Sequence, residues 1–235
     1  AVEHDPGFLG RIERQSHPGG ETSWRGPRIV HVESVELDEL SPAEIADASG
    51  DNVSLGISQL IEQLRYADTY GSLIRVPAGA SVMIREIARR IDAGERQQLL
   101  GGADSEEWLR AADMCQILEE GRYTTLIANP PYLSMKKAKD QLKRFANKHY
   151  KRSSTDLCTM FIERAASLAQ RRGAIGMITM HAWMFLDSYR DLRPWILSSM
   201  SIDSMAHLGT RAFDSIGGEV VQTTAFTITN ATSDV

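Results

Sequence analysis

Tyr123-Thr124-Thr125-Leu126-Ile127-Ala128 runs directly into Asn129-Pro130-Pro131-Tyr132. The first six residues are β-branched, aromatic or apolar, the composition of a pleated strand. Proline cannot donate to a ladder, so two in succession must end the strand. Downstream, Thr155 or Asp156 can cap a helix through Leu157, Phe161, Ile162, Ala165 and Leu168 that stops at Gly173, and Ala174 to Met180 is a continuous apolar strand. Asp187 to Met200 reads as another helix. Ile202 to Leu208 and Val220 to Thr229 read as strands, joined by Gly209 to Glu219 without a helix between them. Strand, helix, strand, helix, strand, strand predicts an α/β fold with a parallel sheet whose final strand can return antiparallel. Open sheets of this kind put their ligand crevice outside the carboxyl ends of the strands, where Asn-Pro-Pro-Tyr falls.

Toward the amino end the texture is helical. Ser41-Pro42-Ala43-Glu44 has the form of a capping box with Pro at the first helical position, and a Gly50-Asp51-Asn52 turn leads into an amphipathic helix from Val53 to Ala67. Val82 to Leu100 repeats the pattern through Val82, Ile84, Ile87, Ala88 and Ile91, and Asp104 caps a third helix carrying Trp108, Leu109, Ala112 and Ile117. Residues 1–27 are rich in Gly, Pro and polar side chains and show no period, and Arg28 to Val35 reads as a short strand. The chain therefore divides into residues 1–40, irregular with a short strand; residues 41–121, helical; and residues 122–235, the sheet.

Composition narrows the class. With 235 residues, 42% hydrophobic and 24% charged, the chain has the balance of a globular protein rather than a disordered or collagen-like one. Two cysteines make neither a disulfide framework nor a four-cysteine metal site, no apolar run reaches the roughly 20 residues that span a bilayer, and no signal segment opens the chain. A soluble, cytoplasmic protein without a membrane partner is expected, and the abrupt ends suggest a piece of something longer. Residues 1–120 hold 22 acidic and 11 basic side chains, against 9 and 15 in residues 121–235. All six lysines, Lys136, Lys137, Lys139, Lys143, Lys148 and Lys151, fall in one window with Arg144 and Arg152, opposed inside it only by Asp140. Such a cluster suits phosphate contacts or, equally, a solvated helix face.

The strand followed by Asn-Pro-Pro-Tyr resembles the amino-methyltransferases that use S-adenosylmethionine, whose fourth motif is this tetrapeptide at the end of the fourth strand. Asp156 to Ala165 and Arg172 to Ile178 are similar to that family's next helix and fifth strand. Gly209-Thr-Arg-Ala-Phe213 followed by Val220 to Phe226 resembles its eighth motif. With Tyr70-Gly71-Ser72-Leu73-Ile74, the chain is similar to the large N6-adenine DNA methyltransferases of BREX-type phage-exclusion systems and to type IIG relatives fused to restriction enzymes. The resemblance implies a partial Rossmann-like S-adenosylmethionine-dependent methyltransferase sheet preceded by a mainly helical insertion. It also implies site-specific transfer of a methyl group to a flipped adenine of double-stranded DNA, in anti-phage defence or restriction-modification, and leaves room for other subunits of a defence system.

The residue types fit that chemistry. The exocyclic nitrogen of adenine has its lone pair delocalised into the ring and attacks a methyl sulfonium poorly, so acceptors must hold its hydrogens. The Asn129 side-chain carbonyl and the Pro130 backbone carbonyl would accept both, Pro130 and Pro131 would fix the loop's dihedrals, and Tyr132 would offer a π face to the extruded base. From the residues alone Phe213 reads as core; the resemblance places it on the base's other side. Lys136, Lys137, Lys139 and Lys143 are the expected phosphate contacts. The family's glycine-rich cofactor loop is not found: Asp5-Pro6-Gly7 and Gly101-Gly102 lack the second glycine and the preceding apolar strand. Cofactor-binding residues are therefore unassigned, and the isolated chain is expected to be inactive.

Cys115 and Cys158 read as buried structural thiols, His181, Trp183 and Phe185 as crevice lining or aromatic core, and Gly217-Gly218 as a tight turn. The same tetrapeptide would also serve methylation of an RNA adenine or a protein glutamine. From a different class, the chain would be a non-catalytic binding or scaffold fragment.

Overall fold

The structure, a computed structural model, describes residues 32–37, 54–93, 105–209 and 222–231. The helical half comprises α1 (Ser54–Leu64), α2 (Ala67–Tyr70), a 3-10 turn (Gly71–Leu73), α3 (Ala80–Asp92) and α4 (Ser105–Leu118). Then come β1 (Tyr123–Ala128), α5 (Asp140–His149), α6 (Leu157–Leu168), β2 (Ala169–Met180), 3-10 turns at His181–Met184 and Asp187–Tyr189, α7 (Leu192–Ser199), β3 (Ser201–Gly209) and β4 (Thr223–Thr229). The proposed capping box at Ser41, the Asp104 cap, Phe213 and Gly217-Gly218 lie outside the described residues.

The strands form one sheet in the order β1-β2-β4-β3. β1 and β2 pair in parallel, while β4 runs antiparallel to both of its neighbours, β2 and β3. This is the expected Rossmann-like class, and the last strand does return antiparallel. It returns between β2 and β3 rather than at an edge, because β4 pairs with the strand just before it along one side and with β2 along the other.

One face of the sheet is a core. Ile175 and Met177 of β2 and Phe226 and Ile228 of β4 pack against Ile162, Ala165 and Ala166 of α6 and Leu192 and Ile196 of α7. The opposite face is open among the described residues, with Ile127 of β1 84% exposed. In the helical half, α3 buries Ile84, Ile87 and Ala88 and packs on α4, which buries Trp108, Ala111, Ala112 and Cys115.

Several expected boundaries are corrected. Residues 32–37 form no strand; instead Val35 N–H donates to Leu64 O at 3.3 Å. The single helix expected from Val53 to Ala67 breaks after Leu64, because that carbonyl is taken from outside the helix and the Arg65 guanidinium turns to Leu37 O at 2.9 Å. The helix capped by Asp156, whose carboxylate accepts Cys158 N–H at 3.0 Å, ends at Leu168 rather than Gly173. Its last carbonyls are claimed by outside donors: Gly121 N–H to Ser167 O, Arg122 N–H to Leu168 O, and the Asn230 amide to Ala166 O and Ala169 O.

β2 consequently starts early and passes through an irregularity, Tyr123 facing Ala169 but Thr125 facing Ala174. Gly173 sits in it, where a Cβ would stand 2.9 Å from both Gln170 O and Tyr123 O, so only glycine fits. The helix expected over Asp187–Met200 is split into a 3-10 turn and α7, since Arg193 bonds Trp183 O and Leu186 O and Pro194 is tolerated only in a first turn.

A buried arginine joins the two halves. Arg164 of α6 is 0% exposed; its Nε donates to Ser72 O at 2.8 Å and its Nη2 to Leu118 O at 2.6 Å. Tyr150 Oη donates to the neighbouring Leu73 O. Two carbonyls of the Tyr70-Gly71-Ser72-Leu73-Ile74 stretch, those of Ser72 and Leu73, are thus held by the side chains of Arg164 and Tyr150.

Candidate active site

β1 delivers Asn129 to the carboxyl edge of the parallel pair, with Ala128 opposite Met177 of β2. Asn129 is exposed, Pro130 buried, Pro131 exposed and Tyr132 half-buried. Among the described residues no hydrogen bond engages the Asn129 side chain, so its amide is available to a ligand. The segment after Tyr132 is tied to the start of α6 by Leu157 N–H to Leu133 O at 2.9 Å and Met135 N–H to Thr155 O at 3.0 Å. Held by the β ladder before it and by these two bonds after it, a loop with two fixed φ angles has little freedom left, which is the property a preorganised acceptor site requires. The Tyr132 hydroxyl is buried and has no partner among the described residues, and burial pushes its phenol up to about 12. The phenol therefore stays protonated at neutral pH.

The basic window does not form one face. Lys136 and Lys137 lie in the turn after Tyr132, Lys139 immediately precedes α5, and Lys143, Arg144 and Lys148 are on α5. Lys136, Lys137 and Lys139 are exposed and, among the described residues, make no ion pair. Lys143 Nζ lies 3.2 Å from the Asp140 carboxylate. Arg152 lies 3.7 Å from Glu163 and over the Trp195 ring, so it already faces a carboxylate and an aromatic ring.

Trp183 is core: its Nε1 donates to Thr179 Oγ1 at 3.0 Å and its ring meets Phe226 edge-on. Phe185 is exposed. His181, in contrast, lies 2.9 Å from His207 through Nδ1 and Nε2, a pairing that a separation of 26 residues gives no sequence pattern to announce. Burial, then the charge of His207, lowers the His181 pKa. Both cysteines are buried; burial, with Glu119 adding to it, pushes the Cys115 thiol up to about 12, and burial pushes Cys158 up as well. Neither is a nucleophile at neutral pH. Among the described residues there is no group of three or more potential metal ligands and no helix long and apolar enough to cross a membrane.

Beside Asn129 a cavity of about 410 Å³ opens on the uncovered sheet face, floored by Gly176, Ala225 and Ala206 and bordered by Ile127 and Met205. From residue 64 to residue 213, a stretch that holds this loop and both strands beside it, the sequence matches the Eco57I restriction-modification methylases. The chain belongs to that family. Within its wider kinship it is 41% identical over 168 residues to the adenine-specific methyltransferase BrxX of Escherichia coli O9:H4 (strain HS), covering 70% of this chain and 14% of that protein. It is 36% identical over 208 residues to the adenine-specific methyltransferase PglX of Lacticaseibacillus casei (strain Zhang), covering 86% of this chain and 17% of that one. The chain thus spans about a sixth or less of the curated relatives it matches. Among solved structures it is similar to the Type IIL restriction-modification enzyme MmeI in complex with DNA, with a TM-score of 0.39 and 17% identity over 47% of this chain and 16% of that one. The family match runs from the end of α1 through β3, so it takes in helical residues that precede the sheet and three of its four strands, β4 lying beyond it.

Proposed function

We propose that this chain is part of the catalytic region of a DNA methyltransferase that modifies the N6 position of adenine in host DNA, in a phage-exclusion system of the BREX type or a restriction-modification system. The observation that carries the proposal is Asn129-Pro130-Pro131-Tyr132 leaving the carboxyl end of a parallel strand with the Asn129 amide exposed and unengaged. In this reading Asn129 Oδ1 and Pro130 O accept the two N6 hydrogens and draw the nitrogen lone pair out of conjugation, Pro131 holds the loop, and Tyr132 stacks on the extruded base. Phe213 closes the other side of the base, and Lys136, Lys137, Lys139 and Lys143 hold the DNA backbone. The family relationship and the two adenine-specific relatives support the substrate class.

The methyl donor of this reaction is S-adenosylmethionine. The described residues do not complete a site for it: the strand ends beside Asn129 carry no glycine-rich turn, and the cavity there is lined by no carboxylate that would hold a ribose. No step through the donor is therefore assigned to residues of this chain. Adenine's amino group needs no general base, since the methylated nitrogen loses its proton to water.

The test is methylation by the full-length protein of DNA, RNA and glutamine-peptide substrates, wild type against Asn129→Ala. DNA alone should be methylated, and the exposed substitution should lower the rate about 100- to 1,000-fold without loss of fold, the usual effect of deleting one preorganised polar partner. Activity within a few-fold of wild type would remove Asn129 from the site.

A further inference from the structure

A second cavity, of about 310 Å³, opens between α1, α2 and α5, and the Asn-Pro-Pro-Tyr loop takes no part in its lining. Its wall is a continuous aromatic ladder. Tyr66 meets Tyr70 edge-on at 6.0 Å, Tyr70 lies flat on Phe145 at 4.0 Å and 13°, and Phe145 tilts toward His149 at 4.8 Å. Phe145 belongs to the core of that region and accounts for its own burial. Tyr66 does not, being 44% exposed. Arg144 and Lys148, one helical turn apart on α5, also line the cavity; both are exposed and make no ion pair among the described residues.

An exposed aromatic ring beside two unneutralised cations in a concavity has a specific chemical complement. The ring offers a stacking platform to any planar base, and the cations attract a phosphate. Glu62 is the one carboxylate in the lining; it disfavours a bare anion and would accept a hydrogen from an exocyclic amino group. The volume falls at the lower end of pockets that hold small ligands, roughly 300 to 1,000 Å³. His149 is held below its ordinary pKa by burial and then by Lys148, so it presents a neutral ring rather than a third charge.

We propose that this cavity binds a nucleotide, its base laid against Tyr66 and its phosphate held by Arg144 and Lys148. The nucleotide belongs to a bound DNA strand or is a free nucleoside phosphate; the first source rests on the methyltransferase reading, the second does not. α5, which carries Arg144 and Lys148, follows directly in sequence on Lys136, Lys137 and Lys139.

The experiment titrates the full chain with a fluorescein-labelled oligothymidylate by anisotropy and with dAMP by calorimetry, comparing wild type, Tyr66→Ala, Tyr66→Phe and the double variant Arg144→Gln/Lys148→Gln. Tyr66→Ala should weaken oligonucleotide binding about 5- to 150-fold, the size of one missing base stack, and Tyr66→Phe should retain it. The double variant should reduce the slope of log affinity against log salt by about 0.7, one phosphate neutralised on a single strand. Tyr66-dependent binding of dAMP without Tyr66-dependent binding of the oligonucleotide would identify the free nucleotide as the ligand. Absence of binding by both ligands, or affinities unchanged in Tyr66→Ala, would overturn the proposal. Because the Asn-Pro-Pro-Tyr loop does not line the cavity, the Tyr66-dependent part of these titrations is separate from the methylation test, and a failure of that test would not alter it.

Discussion

Replacing Arg164 by Met should destabilise the protein by about 2 to 4 kcal/mol. The guanidinium is wholly buried and donates to Ser72 O, Leu118 O and Ser167 Oγ. Hydrogen bonds from a charged group contribute about 1.5 to 3 kcal/mol each, and Met would leave two backbone carbonyls buried without donors. Against this stands the cost of burying the guanidinium itself, visible as a pKa lowered chiefly by desolvation, and that cost disappears in the variant. Met replaces most of the aliphatic volume, so no large cavity adds to the loss. The Glu120 carboxylate, 3.5 Å from Arg164, is 40% exposed, and that ion pair should contribute only about 0 to 1 kcal/mol. Glu120→Gln is therefore the control. Urea titration of the chain followed by circular dichroism reads both changes as shifts of the midpoint at constant slope. An Arg164→Met effect below about 1 kcal/mol, or one equal to that of Glu120→Gln, would refute the idea that captured carbonyls hold the helical half to the sheet.

Gly173→Ala should cost about 1 to 3 kcal/mol or prevent folding, because its Cβ would press on two backbone carbonyls that cannot move aside without breaking the β1–β2 register; an unchanged melting temperature would contradict this. Changing Lys136, Lys137, Lys139 and Lys143 together to Gln in the full-length protein should weaken binding of cognate and unrelated DNA alike. It should also reduce the salt slope by about 0.9 for each phosphate that is no longer neutralised, an unchanged slope retiring the phosphate role. Lys143 should contribute least, since Asp140 already faces it. His181, with its folded pKa lowered, favours the neutral ring; its contribution to stability is complete above the ordinary value of about 6.5 and is lost as pH falls through the lowered value. In an NMR titration His207→Gln should raise the His181 pKa without restoring the ordinary value, because burial is the larger cause, and no movement would show that the two rings do not interact.

The site was legible where its signals are local. Two prolines after a β-branched run end a strand whatever surrounds it, and Asp156 caps α6 through an atom two residues away. Helix breaks were less legible, because the break after Leu64 depends on Val35 and Leu37, and the end of α6 on Asn230, 61 residues beyond Ala169. The basic window was visible as composition, yet composition could not say that Arg152 turns toward Glu163 and Trp195 while Lys136 stays in solvent.

Read by itself, the sequence determined the α/β class, the position of β1, the helical texture of the first half and the tetrapeptide at the strand's end, all consequences of steric and hydrogen-bonding rules acting within a turn or two of chain. Tertiary structure decided that β4 inserts between β2 and β3, that Tyr70 stacks on Phe145, and that Arg164 reaches carbonyls 92 and 46 residues away. Those pairings depend on which buried groups lack a partner once the chain has collapsed, and an unpaired carbonyl leaves no mark on the residue type that bears it.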